Sequence, residues 1–78
     1  MSPLATRAID PESKEHARRY RLAVEDGDEG VARSHALALA PVATAADPEV
    51  HVDAGDGRHV VVRHVADGPN AVELAPTD

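Results

Sequence analysis

Apolar residues recur at helical spacing in the first half of the chain and alternate with polar ones in the second. Asp10-Pro11-Glu12 reads as a helix start: aspartate caps free amides, proline suits the first helical position, and glutamate complements the helix dipole. From about residue 11 to 25, Ser13, Ala17, Tyr20 and Val24 fall on one stripe, to which Ala23 adds, with Leu22 on the opposite side. Gly27 within Glu25–Gly30 stops this helix. Asp28 caps a second one that runs to about Ala40, where Pro41 ends it. Its stripe is Val31, His35, Ala38 and Leu39, with Leu37 outside. So tight a turn predicts an antiparallel helical hairpin.

After the small-residue linker 41–48 the pattern turns to β. Glu49–Asp53 and Arg58–Val65 are valine-rich strands around a glycine turn, and Ala71–Leu74 is a short third strand beyond the turn at 65–70. A three-residue loop, Gly55-Asp56-Gly57 with Gly57 left-handed, places Ala54 opposite Arg58, Asp53 opposite His59, Val52 opposite Val60, His51 opposite Val61, Val50 opposite Val62 and Glu49 opposite Arg63. Val50, Val52, Val60 and Val62 then share one face. A two-residue Asp56-Gly57 loop mixes charge into that face, and register follows the buried pattern, so the first pairing is favoured.

These elements predict an α+β fold, α-α-β-β-β, in which an N-terminal helical hairpin packs on a C-terminal three-stranded antiparallel β-meander. The expected divisions are a flexible N-terminus over 1–9 and a single domain over 10–75. That domain comprises a helical pair at 10–40, a linker at 41–48 and a meander at 49–75, with a tail at 76–78.

Composition makes this core thin. The 78 residues include fifteen alanines and ten valines but no Phe or Trp and a single Tyr, so the side chains that bury most area are nearly absent. No cysteine is present to form a disulfide or a zinc-thiolate site. Pairing with a second chain is the expected source of additional stability. The apolar run at 36–47 is too short to span a bilayer, and Arg7 and Asp10 interrupt any targeting segment at the start, so no membrane association and a cytoplasmic location are expected.

The net charge of −6 makes nucleic acid an unlikely partner. It is uneven, because residues 1–24 carry five basic against three acidic side chains. A DNA-associated regulator reading through Arg18, Arg19 and Arg21 is therefore an alternative, although Glu15–Arg19 and Arg21–Glu25 at i, i+4 spacing suit local ion pairs.

Candidate chemistry is concentrated in residues 51–65. The favoured register clusters His51, Asp53 and His59 on the polar sheet face, a set suited to zinc, nickel, copper or iron(II), and leaves His64 on the valine face. Exposed strand positions are commonly polar, so a plain sheet face is the favoured interpretation and no cofactor is expected. The acidic turn Glu25–Gly30 fails as a calcium loop, because Gly30 and Val31 occupy positions reserved for an oxygen ligand and a glycine. The serines lack a nucleophile's surroundings, and no catalytic set is evident.

The expectation is a small acidic protein-binding module, not an enzyme. It would act as a regulator, accessory subunit or neutralising partner, through protein contact and as a homodimer. Tyr20, Leu22 and Leu37 are the candidate contact residues. A metal-binding or metal-sensing module using the His/Asp cluster is a further alternative.

Overall fold

The computed structural model describes residues 6–8, by their backbone, and 10–75. Its elements are β1 (Thr6–Ala8), α1 (Pro11–Asp26), α2 (Glu29–Leu39), a 3-10 turn (Ala40–Val42), β2 (Glu49–Gly55), β3 (Arg58–Arg63) and β4 (Ala71–Leu74). The predicted helices and the antiparallel β2-β3-β4 meander are present, with the helical pair covering the valine face.

Local chemistry accounts for the helix boundaries. Asp10 Oδ2 accepts the Ser13 amide at 3.0 Å, and Asp28 Oδ1 accepts that of Val31 at 3.2 Å. At Gly27, φ is 76°. The amides of Gly27 and Asp28 turn back to the carbonyls of Val24 and Ala23, closing α1 in a Schellman motif that points the chain into α2.

The sheet gains a strand where the sequence suggested only a flexible leader. Thr6–Ala8 pairs in parallel with β2, giving the order β1-β2-β3-β4. A parallel edge strand needs backbone amides and carbonyls more than a side-chain pattern, and Thr-Arg-Ala carries no such pattern. The 76–78 tail lies outside the described residues.

The hairpin pairs Glu49 with Arg63, Val50 with Val62, His51 with Val61, Val52 with Val60 and Asp53 with His59, as expected. Its tip differs. Gly55, not Ala54, stands opposite Arg58, through a bulge between Asp53 and Gly55. Asp56 and Gly57 both have positive φ, 55° and 73°, as a primed two-residue turn requires. The bulge supplies the extra residue that lets this short turn coexist with the valine register. Asp53 Oδ1 accepts the Gly55 amide at 2.9 Å, holding the bulge in place.

Val50, Val52, Val60 and Val62 form the core with Ala17, Ala54, Ala43 and Leu39, the largest side chain fully removed from solvent. Helix α1 packs across β2 and β3, while α2 packs on α1 and contributes Leu39 from its last turn. The expected α1 stripe holds at Ser13, Ala17, Tyr20 and Ala23 and that of α2 at His35 and Leu39, but the valines and Ala38 depart from it. Val24 and Val31 are exposed, and α2 turns inward Ala32, His35, Ala36 and Leu39. Runs such as Ala36-Leu37-Ala38-Leu39 present apolar groups on every side, so the position of α1, not the pattern, selects the buried face.

Tyr20 packs against the core, and its hydroxyl donates to the Val72 carbonyl at 3.1 Å. Burial, with Glu73 nearby, raises this phenol above its ordinary value. The Ala75 amide bonds the His59 carbonyl, so in the alternating ladder Val72 and Leu74 direct their backbone groups away from β3. Tyr20 thus blunts the open edge of β4. Tyr20→Phe is expected to lower unfolding free energy by about 1 kcal/mol, measured by urea denaturation, while leaving the circular dichroism unchanged.

Candidate functional site

Two regions carry the residues singled out from the sequence: the polar face of the sheet and the helical hairpin. On the sheet, His51 and His59 are neighbours, with ring centres 6.3 Å apart in an edge-on arrangement. Each has another commitment on the face. His51 Nε2 donates to Glu49 Oε2 at 2.9 Å, because an ionised carboxylate can only accept. Asp53 bonds the Gly55 amide and pairs with Lys14 of α1 at 3.7 Å. Among the described residues, no group of three or more His, Cys, Asp or Glu side chains is placed to hold a metal ion. The shared face predicted for His51, Asp53 and His59 is present, but the three do not converge on a common point.

The same face instead carries alternating charge. Arg63 lies 3.8 Å from Glu49 and also pairs with Glu73 across β4. Val61 sits among these groups between its direct cross-strand partners His51 and Glu73, yet it is only 3 % exposed. His64 is half-buried, and its Nδ1 is buried without a hydrogen-bond partner.

These contacts hold two carboxyls below the ordinary range. The bond from His51, then the Arg63 charge, lowers Glu49. The Gly55 amide, then Lys14 and His59, lowers Asp53. Both effects exceed the opposing desolvation. A carboxyl whose folded pKa is depressed contributes stability that is present above its unfolded value and lost as pH falls through the lower folded value. Stability is therefore expected to decline below the ordinary carboxylate range, with a shallower decline in Glu49→Gln/Asp53→Asn, as read from urea midpoints across an acid pH series. An identical decline in the variant would assign acid sensitivity to other groups.

The arginines of α1 pair along their own helix. Glu15 pairs with both Arg18 and Arg19, and Arg21 with Glu25, which also meets Arg58. Arg21 is only 14 % exposed at its side chain. The three arginines proposed to read phosphates are thus partnered by carboxylates.

The candidate contact residues divide. Leu22 and Leu37 are 45 % and 64 % exposed, as their off-stripe positions predict. Tyr20 is not a free contact residue, because its ring and hydroxyl serve the fold.

One pair escaped the sequence reading. His16 of α1 and His35 of α2 face each other with their Nδ1 atoms 3.0 Å apart and ring centres 5.2 Å apart. One ring carries Nδ1–H and the other accepts. The available signal was one histidine per helix near an inward stripe; the register between the helices supplied the rest.

Fold and site define a small α+β protein: a mixed four-stranded sheet under a helical hairpin, with a charge-paired open face. No protein-family model, curated protein or solved structure gave a significant match to the chain. Among the described residues, no helix is long and apolar enough to cross a membrane.

Proposed function

We propose that this chain is a small acidic, non-enzymatic protein-binding module that acts in the cytoplasm as a homodimer. Its role is that of a regulator, accessory subunit or neutralising partner, and its contacts run through the outer side of the helical hairpin. The observation that supports this reading is the exposure of four large aliphatic side chains on just two helices. Leu37 is 64 % exposed, Leu22 45 %, Val31 43 % and Val24 41 %. Scattered exposed aliphatics are ordinary, but Leu37 is exposed beyond what the fold requires, in a chain short of large core residues. The three arginines of α1 are engaged by Glu15 and Glu25 of their own helix, which leaves the aliphatic side chains as the unpartnered feature that supports an apolar contact.

Light scattering after size-exclusion chromatography tests the proposal. The expected result is twice the 8.2 kDa chain mass for the natural sequence and a folded monomer for Leu22→Lys/Leu37→Lys. A natural chain that remains monomeric throughout a concentration series and captures no protein partner overturns it.

A further inference from the structure

Among the described residues, the His16–His35 pair brings two metal-ligating nitrogens together outside the sheet face. We propose that it is a two-imidazole site for a divalent cation of the zinc class, with water completing the coordination. This goes beyond the contact function and does not depend on it, because both ligands belong to one helical hairpin.

Geometry carries the proposal. The Nδ1 atoms are 3.0 Å apart and the ring centres 5.2 Å apart. Zinc bound by two imidazole nitrogens at about 2.0–2.1 Å and the tetrahedral angle requires a nitrogen separation of about 3.3 Å and ring centres about 5.2 Å apart. The ring centres already stand at that separation. Each ring needs only to swing about its own centre, opening the nitrogens by about 0.3 Å and aiming both lone pairs at one point; the soft outer torsion of histidine permits this.

The surroundings agree with a cation. His16 and His35 are both half-buried and lie on separate helices that pack against each other, so their separation is set by the backbone. The ligating form of each ring is neutral with its proton on Nε2. Binding therefore shifts the proton of the donating ring from Nδ1 to its own Nε2 and frees both Nδ1 lone pairs for the metal, with no net proton released from a neutral pair. The net charge of −6 favours cation approach.

Calorimetric titration of the full chain with zinc chloride, together with nitrogen-detected NMR of the histidine rings, tests the site. Expected are saturable binding of one zinc per chain and a metal-bound Nδ1 signal on His16 and His35 only. His16→Asn and His35→Asn should each weaken binding by at least the ~10–100-fold that loss of a mere supporting group costs a metal site. His51→Asn should leave binding unchanged.

Absence of saturable heat, or ring signals from His16 and His35 that do not move with zinc, overturns the proposal even if a variant fails to fold. Binding that survives both substitutions but is lost in His51→Asn places the metal on the sheet face and overturns it equally. Unchanged zinc binding by Leu22→Lys/Leu37→Lys is expected, so failure of the dimer proposal and failure of the metal proposal remain distinguishable.

Discussion

Leu39→Ala is expected to bring this protein to the margin of folding. Leu39 has no exposed surface and is the largest fully buried side chain in a core otherwise made of valine and alanine. Truncating a buried leucine removes its transfer free energy and leaves a cavity, at a cost of about 2–5 kcal/mol. A chain of 78 residues has a total stability of only about 4–12 kcal/mol on the usual per-residue scale. One substitution therefore removes a large share of what holds the molecule together.

Tyr20, the one tyrosine packed on this core, is tied by its hydroxyl to the Val72 carbonyl, and the surrounding valines are fixed by the sheet register. Leu39 is also the residue by which the last turn of α2 enters the core, so its loss frees the hairpin as well as opening a cavity. Urea denaturation followed by circular dichroism gives the readout. Leu37→Ala, two residues away and 64 % exposed, is expected to stay within about 0.5 kcal/mol of the natural chain. Equal effects at the two positions would mean that α2 is packed by the wrong face.

Asn70→Asp should produce the second-largest loss, about 2–4 kcal/mol at neutral pH, because two donated hydrogen bonds fail together and a negative charge takes the donor's place. Asn70 Nδ2 donates to the carbonyls of Ala40 at 2.6 Å and Ala43 at 2.8 Å, while its Oδ1 accepts the Val65 amide at 3.0 Å. This one side chain ties the β3–β4 connection to the 3-10 turn that follows α2. A carboxylate keeps the acceptor but replaces the donor with negative charge facing two carbonyl oxygens.

The sign of the pH effect follows. The ionised form of the new carboxyl is disfavoured in the folded state, so its folded pKa lies above the unfolded value. The electrostatic deficit is then complete above the folded pKa and shrinks as pH falls toward the unfolded value, where the group is protonated in both states. The stability difference from the natural chain should therefore narrow on acidification. A constant difference would show that lost donation, and not charge, accounts for the whole effect.

The β-hairpin was the most legible part of the chain. Val50, Val52, Val60 and Val62 alternate on both sides of a glycine turn, and the pairing that a simple two-residue Asp56-Gly57 loop imposes mixes charge into their common face; they are at most 2 % exposed. That register also placed His51, Asp53 and His59 on the opposite face, but could not show that His51 engages Glu49 or that Lys14 reaches Asp53 from α1. Those are competitions among partners, decided by where a helix end comes to rest.

The helices were legible in their limits and less so in their faces. Aspartate caps and Gly27 act within a few residues of themselves, so Pro11–Asp26 and Glu29–Leu39 could be read almost to the residue. Val24 and Val31 were assigned inward on periodicity and are exposed, since an alanine-rich helix can bury any of several stripes at similar cost.

The sequence by itself determined the element order, the helix caps, the hairpin register and the valine core face, all of which depend on contacts between near neighbours or on alternation within one hairpin. Only the tertiary structure decided that Thr6–Ala8 joins β2 as a parallel edge strand, that the Tyr20 hydroxyl reaches the Val72 carbonyl, and that His16 meets His35. Each of these joins segments whose mutual position comes from packing across the fold. Their geometry is set by the resting place of α1 on the sheet, a sum of many small apolar contacts that no local pattern of residues contains.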